Sequence, residues 1–167
     1  DPAPTKIPAG RIDLAFGDSV RFASAELNLA TALAFVTLSD GSTLQIFQHA
    51  TEPIGMIRFI GHAKPVAALN APAFGGKVDT TLKANSLNTG SLARLGYEAP
   101  LKQNMLNEQS FLQTGWGGFQ FAVVLKWQNI NQEWHAAWSI ASTREGPDPL
   151  QRARERVNKA LQKGWQP

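Results

Sequence analysis

Residues 113–127, QTGWGGFQFAVVLKW, place a glycine-flanked tryptophan directly ahead of a strict alternation of side chains. Phe119, Phe121, Val123, Leu125 and Trp127 hold one parity, and Gln120, Ala122, Val124 and Lys126 the other. At a side-chain period of two, an extended chain turns the first set to one face, and that face is strongly apolar. The segment reads as a core strand. Across the polar turn QNINQE it pairs with residues 134–140, where Trp134, Ala136, Trp138 and Ile140 again share one parity. Four of the five tryptophans therefore cluster in this hairpin region, and paired aromatic strands stabilise a sheet mainly by burying area.

Further strands are predicted upstream. Leu27, Leu29, Thr31, Leu33, Phe35 and Thr37 alternate with smaller or polar neighbours through Leu38, and Ser39-Asp40-Gly41-Ser42 supplies a hairpin turn into a strand over 43–48. Pro53 interrupts the ladder, and residues 55–62 form a third strand with Ile57 and Phe59 opposite Met56, Arg58 and Ile60. Between Ala63 and Leu112, proline, glycine, asparagine and serine break the pattern into brief strands joined by long loops. Only the end is helical. Asp148 is an N-cap with Pro149 at the first helical position, Leu150, Ala153, Val157, Ala160 and Leu161 trace one stripe, and Gly164 stops the helix. The fold class expected is all-β, an antiparallel β-sandwich of the supersandwich kind with one C-terminal α-helix. It divides into a sandwich domain over residues 1–147 and a linker helix over residues 148–167. The apolar stripe and Trp165 beyond it need cover: either the helix folds back on the sheet, or it docks on a partner absent from this chain, and the second is the expectation.

Composition narrows the chemistry. The chain has 167 residues, enough for one domain with a core. It has no cysteine, which removes disulfides, thiolate zinc sites and cysteine nucleophiles. No apolar run reaches the roughly 18 residues of a spanning helix. The start, DPAPTKIPAG, has neither the basic region nor the apolar stretch of a signal peptide, and it reads as a trimmed end. Net charge is +3 and lies in the tail, where residues 144–163 hold six basic and three acidic side chains. Nucleic-acid binding asks for a basic stripe interleaved with exposed aromatics. Here the aromatics lie in strands and the charges on a helix, so nucleic acid is not an expected partner.

No phosphate loop, G-x-S-x-G elbow or H-E-x-x-H occurs. His49, His62 and His135 are too scattered to suggest a metal site. Asp13 and Asp18 have the residue type of a glycosidase acid and base pair, but turn and capping roles are the expectation for them. The GWGG turn is the better ligand candidate, since an indole held there can stack on the apolar face of a sugar ring. For Trp116 itself the favoured expectation is nevertheless structural, an aromatic closing the rim of the core at a hairpin end, with the turn as the alternative ligand surface.

Several segments in order resemble a known family. AELNLATALAFVTLSDGSTLQIFQHATEP, then GYEAP, QSFLQTGWGGFQFAVVLKW and DPLQRARERVNKALQKGW, look like the amino-terminal β-sandwich domain of bacterial glycoside hydrolases whose catalytic part is an (α/α)6 barrel. The inverting α-L-fucosidases of family 95 and the kindred family 65 enzymes share the L-x-L-x-x-A strand, the D-G turn and a strand ending in a small-residue and proline turn. The resemblance spans two thirds of the chain. Gln45 and Gln48 stand where those families usually carry arginine and glutamate. It implies a non-catalytic module, secreted or periplasmic, that braces a helical catalytic domain and lends a loop to the sugar pocket. It implies carbohydrate as partner, no cofactor, no metal and no catalytic residue in this segment. Gln113, Trp116 and Phe119 are the binding residues expected for that loop. Two other classes remain: a free-standing carbohydrate-binding module, and an envelope lipid or protein carrier with an apolar cavity.

Overall fold

The structure, a computed structural model, describes residues 9–72 and 98–167. The leading DPAPTKIP, and the middle of the segment expected to hold brief strands, residues 73–97, lie outside them. In chain order the described elements are β1 (Arg11–Ala15), β2 (Phe22–Asn28), β3 (Leu33–Leu38), β4 (Thr43–Gln48), β5 (Ile54–Ile60) and β6 (Val66–Asn70). They continue with β7 (Leu101–Met105), β8 (Glu108–Thr114), β9 (Gln120–Ile130), β10 (Glu133–Ser142) and α1 (Pro149–Lys163). Eight strands form one antiparallel sheet in the order β2-β3-β4-β5-β10-β9-β8-β7. Strands β1 and β6 form a second, two-stranded sheet. The molecule is thus an antiparallel sandwich with a single C-terminal helix.

Each face of the large sheet has its own core. On one face Leu44, Ile57, Phe59, Leu125, Trp134 and Ala136 pack against Ile12, Leu14 and Leu69 of the small sheet. This is the aromatic parity of β9 and β10, where Trp127 lies opposite Ala136 and Leu125 opposite Trp138. Trp138 in turn covers Gly55, where a Cβ would fall inside the indole ring; glycine at this point makes room for the largest side chain of the facing strand.

The opposite face explains the helix. Here β10 presents His135, Ala137, Ser139 and Ala141, and β9 presents Ala122 and Val124, all small except the histidine. A face of small side chains lets a helix come close. Ala153, Val157, Ala160 and Leu161 are buried there with Phe47, Ile54, Met56, Val124, Ala137 and Ala141, and Leu150 and Trp165 pack at the margin. Trp165 meets Phe47 edge to face, centroids 5.0 Å apart. Polar side chains fasten the helix where the apolar stripe ends. Arg154 Nε donates to the buried Glu108 at 2.8 Å, Lys126 Nζ to Asn158 at 2.7 Å, and Gln128 Nε2 to the carbonyl of Leu161 at 3.1 Å. The expectation that this stripe awaits an absent partner is therefore corrected: the chain's own sheet covers it, because one parity of β9 and β10 was kept small.

A second correction concerns residues 27–38, expected to be one strand. The chain reverses at Leu29–Ala32, so that Leu27 pairs with Ala34 and Asn28 with Leu33. Asn28 Oδ1 accepts the N–H groups of Ala30 at 3.0 Å and Thr31 at 3.2 Å, and Ala32 takes a left-handed φ of 54°. The turn is made by an Asx side chain rather than by glycine or proline. The β9–β10 turn is also tighter than QNINQE suggests. It comprises Asn131 and Gln132, with φ of 49° and 69°, the two positive angles of a two-residue hairpin whose twist matches its strands.

Candidate functional site

The strongest surface feature lies where β8 turns into β9. Gly115 N–H donates to the carbonyl of Phe119 at 2.7 Å, closing a short loop around Trp116–Gly118. Gly117 and Gly118 have φ of 66° and 79°, and a Cβ on either would meet nothing within 4 Å. These glycines serve the left-handed backbone, not a close approach. The space above them is open, and Trp116, 80% exposed, stands beside it.

The turn is tied down from both sides. Gln120 Nε2 donates to Thr114 Oγ1 at 3.2 Å, and Gln120 N–H to Thr143 Oγ1 at 3.1 Å. Thr143 N–H returns a bond to the carbonyl of Gln120 at 2.9 Å. This last pairing carries the chain beyond β10 back across the start of β9. It sets the Arg144 guanidinium 6.0 Å from the centroid of Phe119, a cation–π distance. Phe119, 37% exposed, lies 6.4 Å from Phe121, and Phe121 meets the buried Phe111 edge to face at 6.1 Å. A line of aromatic rings thus runs from the rim into the core.

Of the three expected binding residues, Trp116 and Phe119 flank the same short loop and are both exposed there. Gln113 lies on the same strand end but is 0% exposed, and its Nε2 donates to the carbonyls of Glu98 at 2.8 Å and Thr114 at 2.9 Å. It supports the loop from beneath. Arg144 is the residue sequence reasoning missed. It looks like the first charge of a basic tail, and only the long-range pairing of Gln120 with Thr143 shows that it turns back over Phe119.

A second cluster sits at the opposite end of the sheet. Arg58 grips Glu133 with two bonds, Nε to Oε2 at 2.7 Å and Nη2 to Oε1 at 2.6 Å, and His135 Nε2 lies 2.9 Å from Oε2. Glu133 also borders a surface cleft of about 420 Å³ with Asp40, Ser42, His62 and Asn131. The hydrogen bond from Arg58, and after it that with His135, holds the Glu133 carboxyl at about 2 against the opposing effect of burial. The Ser42 N–H lowers Asp40 as well. A general acid at neutral pH needs a raised carboxyl pKa. These carboxylates are fixed anions that lock neighbouring strands and turns.

The lock has a measurable signature. The folded pKa of Glu133 is depressed below its ordinary 4.5, so its contribution is complete above that pH and disappears as pH falls toward 2. We expect it to reach ~2 kcal/mol, allowing for screening of a partly exposed carboxylate. In chemical denaturation between pH 6 and pH 2, Glu133→Gln should lose less stability on acidification than the wild type. Parallel curves would mean that the pair contributes nothing.

The other sequence candidates have structural roles. Asp13 is held by Arg11 at 2.8 Å and by Asn70 Nδ2 at 2.8 Å across the small sheet, and Asp18 lends its carbonyl to Arg21. His49 Nδ1 accepts the N–H groups of Thr51 and Glu52 in the β4–β5 turn. Among the described residues no group of three or more histidine, aspartate or glutamate side chains is arranged to hold a metal, and no described helix is long and apolar enough to cross a membrane. No protein-family model matches the chain, and no curated protein matches it.

Proposed function

We propose that this sandwich is a non-catalytic carbohydrate-binding module of a secreted or periplasmic glycoside hydrolase, with the Trp116 turn as its sugar platform. One observation carries the reading: an indole left 80% exposed on a short loop that the Gly115–Phe119 hydrogen bond closes. A large aromatic in water is unfavourable, and covering it with a ligand removes that cost. Sugar rings offer an apolar face to such a surface and hydroxyls to the polar groups around it.

Bracing of a helical barrel is the second reading, from the family resemblance. Its support no longer lies in α1, whose stripe is covered. It lies in the exposed Phe22, Leu27 and Leu29 of β2 and the turn after it, an apolar surface of the kind a neighbouring domain covers. Calorimetric titration of the isolated chain with a panel of oligosaccharides separates the two. The module reading expects binding without any partner domain, weakened at least about 30-fold by Trp116→Ala, an alanine truncation of a platform aromatic being able to cost 2 kcal/mol or more. The unfolding temperature should be unchanged. No binding by the intact chain, or equal binding by Trp116→Ala, would refute it.

A further inference from the structure

The turn also carries a charge that no described neighbour neutralises. Glu145, next to Arg144 in sequence, is committed elsewhere: its Oε2 accepts from Arg156 at 2.5 Å and its Oε1 from the Ser142 N–H at 3.0 Å. Arg144 itself is exposed and makes no ion pair or side-chain hydrogen bond among the described residues. Its one described side-chain contact is the Phe119 ring, and Phe119 N–H in turn donates to the carbonyl of Trp116 at 3.3 Å. Trp116 and Phe119 thus bracket one short turn, with the guanidinium over the second of them.

We propose that the glycan recognised at this turn is anionic, with Trp116 and Phe119 taking the apolar face of a sugar and Arg144 taking its carboxylate or sulfate. The proposal rests on the carbohydrate-binding reading and specifies its ligand. A guanidinium held beside a ring in this way uses none of its N–H donors there, and they remain free for an anion. The guanidinium edge is planar and forked, which matches the paired oxygens of a uronate carboxylate or a sulfate ester. For a neutral sugar, an arginine without a described ion-pair partner beside the turn has no such match. The chain's net charge of +3 leaves the long-range field favourable to an anion as well.

Titrations of the intact chain with neutral, uronate-containing and sulfated oligosaccharides of equal length, at about 50 and about 250 mM salt, test this. An acidic oligosaccharide should bind at least about tenfold tighter than its neutral counterpart, and the advantage should shrink as salt rises. Arg144→Gln should bring the ratio of acidic to neutral affinity to within about twofold, and Arg144→Lys should restore part of it. The uronate and sulfate arms identify which anion is preferred. Circular dichroism of each variant confirms that it folds. A wild type that binds neutral and acidic sugars alike, or an Arg144→Gln variant that keeps the preference, would overturn the anionic ligand and leave the module intact. Binding to no glycan would remove both, and binding to anionic phospholipid vesicles in place of acidic glycans would reassign the surface to membranes.

Discussion

Val157→Asp is expected to abolish stable folding of the whole sandwich, a loss of more than about 4 kcal/mol. Val157 is fully buried at the centre of the helix–sheet contact, among the side chains of β4, β5, β9 and β10 that form one core with α1. An aspartate there has no cation within that apolar cluster, and the helix must leave the sheet to hydrate it. Leaving exposes the small face of β9 and β10, so damage to the helix is damage to the domain. The measurement is thermal or urea unfolding followed by tryptophan fluorescence. If α1 were only a linker passing toward another domain, the same substitution would leave the sandwich transition where it was.

The second large effect comes from the polar clamp beside that core. Glu108 is 2% exposed, and its carboxylate is met by Arg154 Nε at 2.8 Å, with Lys126 Nζ farther off at 3.9 Å. Arg154→Ala should cost ~3 kcal/mol, because it leaves a buried carboxylate with one distant, partly exposed lysine. Much of that penalty belongs to the stranded ion and not to the arginine's own packing. Adding Glu108→Gln to the Arg154→Ala chain should therefore restore part of the stability. A double variant weaker than Arg154→Ala alone would show that Arg154 acts through packing of its stem.

Local signals made several elements readable from sequence. The strand over 43–48 and the helix from its Asp148 cap to Gly164 follow the expected bounds, because turn residues, cap and stripe are all encoded within a few positions. Asp148 does accept the Gln151 N–H, at 2.9 Å. The β9 and β10 alternation is equally plain, since Trp134, Ala136 and Trp138 can share a core only in extended chain. Elsewhere the pattern misleads. Leucines at 27, 29 and 33 keep their phase straight through the β2–β3 turn, and only the Asn28 side chain marks the reversal. Strands β1 and β6 pair across some fifty intervening residues, a contact with no local trace.

The docking of α1 was present in the sequence in a form periodicity does not show. The stripe says that the helix needs cover but not from what. The complementary sign is the run Ala137, Ser139, Ala141 on the unused parity of β10, facing Ala153 and Ala160 of the helix. Small residues on both surfaces are the mark of close helix–sheet packing. For the candidate site, the glycine turn was legible, but the favoured role for Trp116 was cover over the core edge, and the structure corrects it: the indole is 80% exposed. The burial of Gln113 and the return of Arg144 over Phe119 depend on which strands are neighbours, and that is decided by the assembled sheet.

The indole N–H resonances of the five tryptophans offer the most direct test of the central claim, that this sandwich meets its ligand through the Trp116 turn. Trp134 is buried, Trp127, Trp138 and Trp165 are partly covered by their cores, and Trp116 stands in water. On titration with an acidic oligosaccharide, the Trp116 signal should shift to saturation while the other four stay in place. Binding that leaves Trp116 unmoved and shifts another indole would contradict the account.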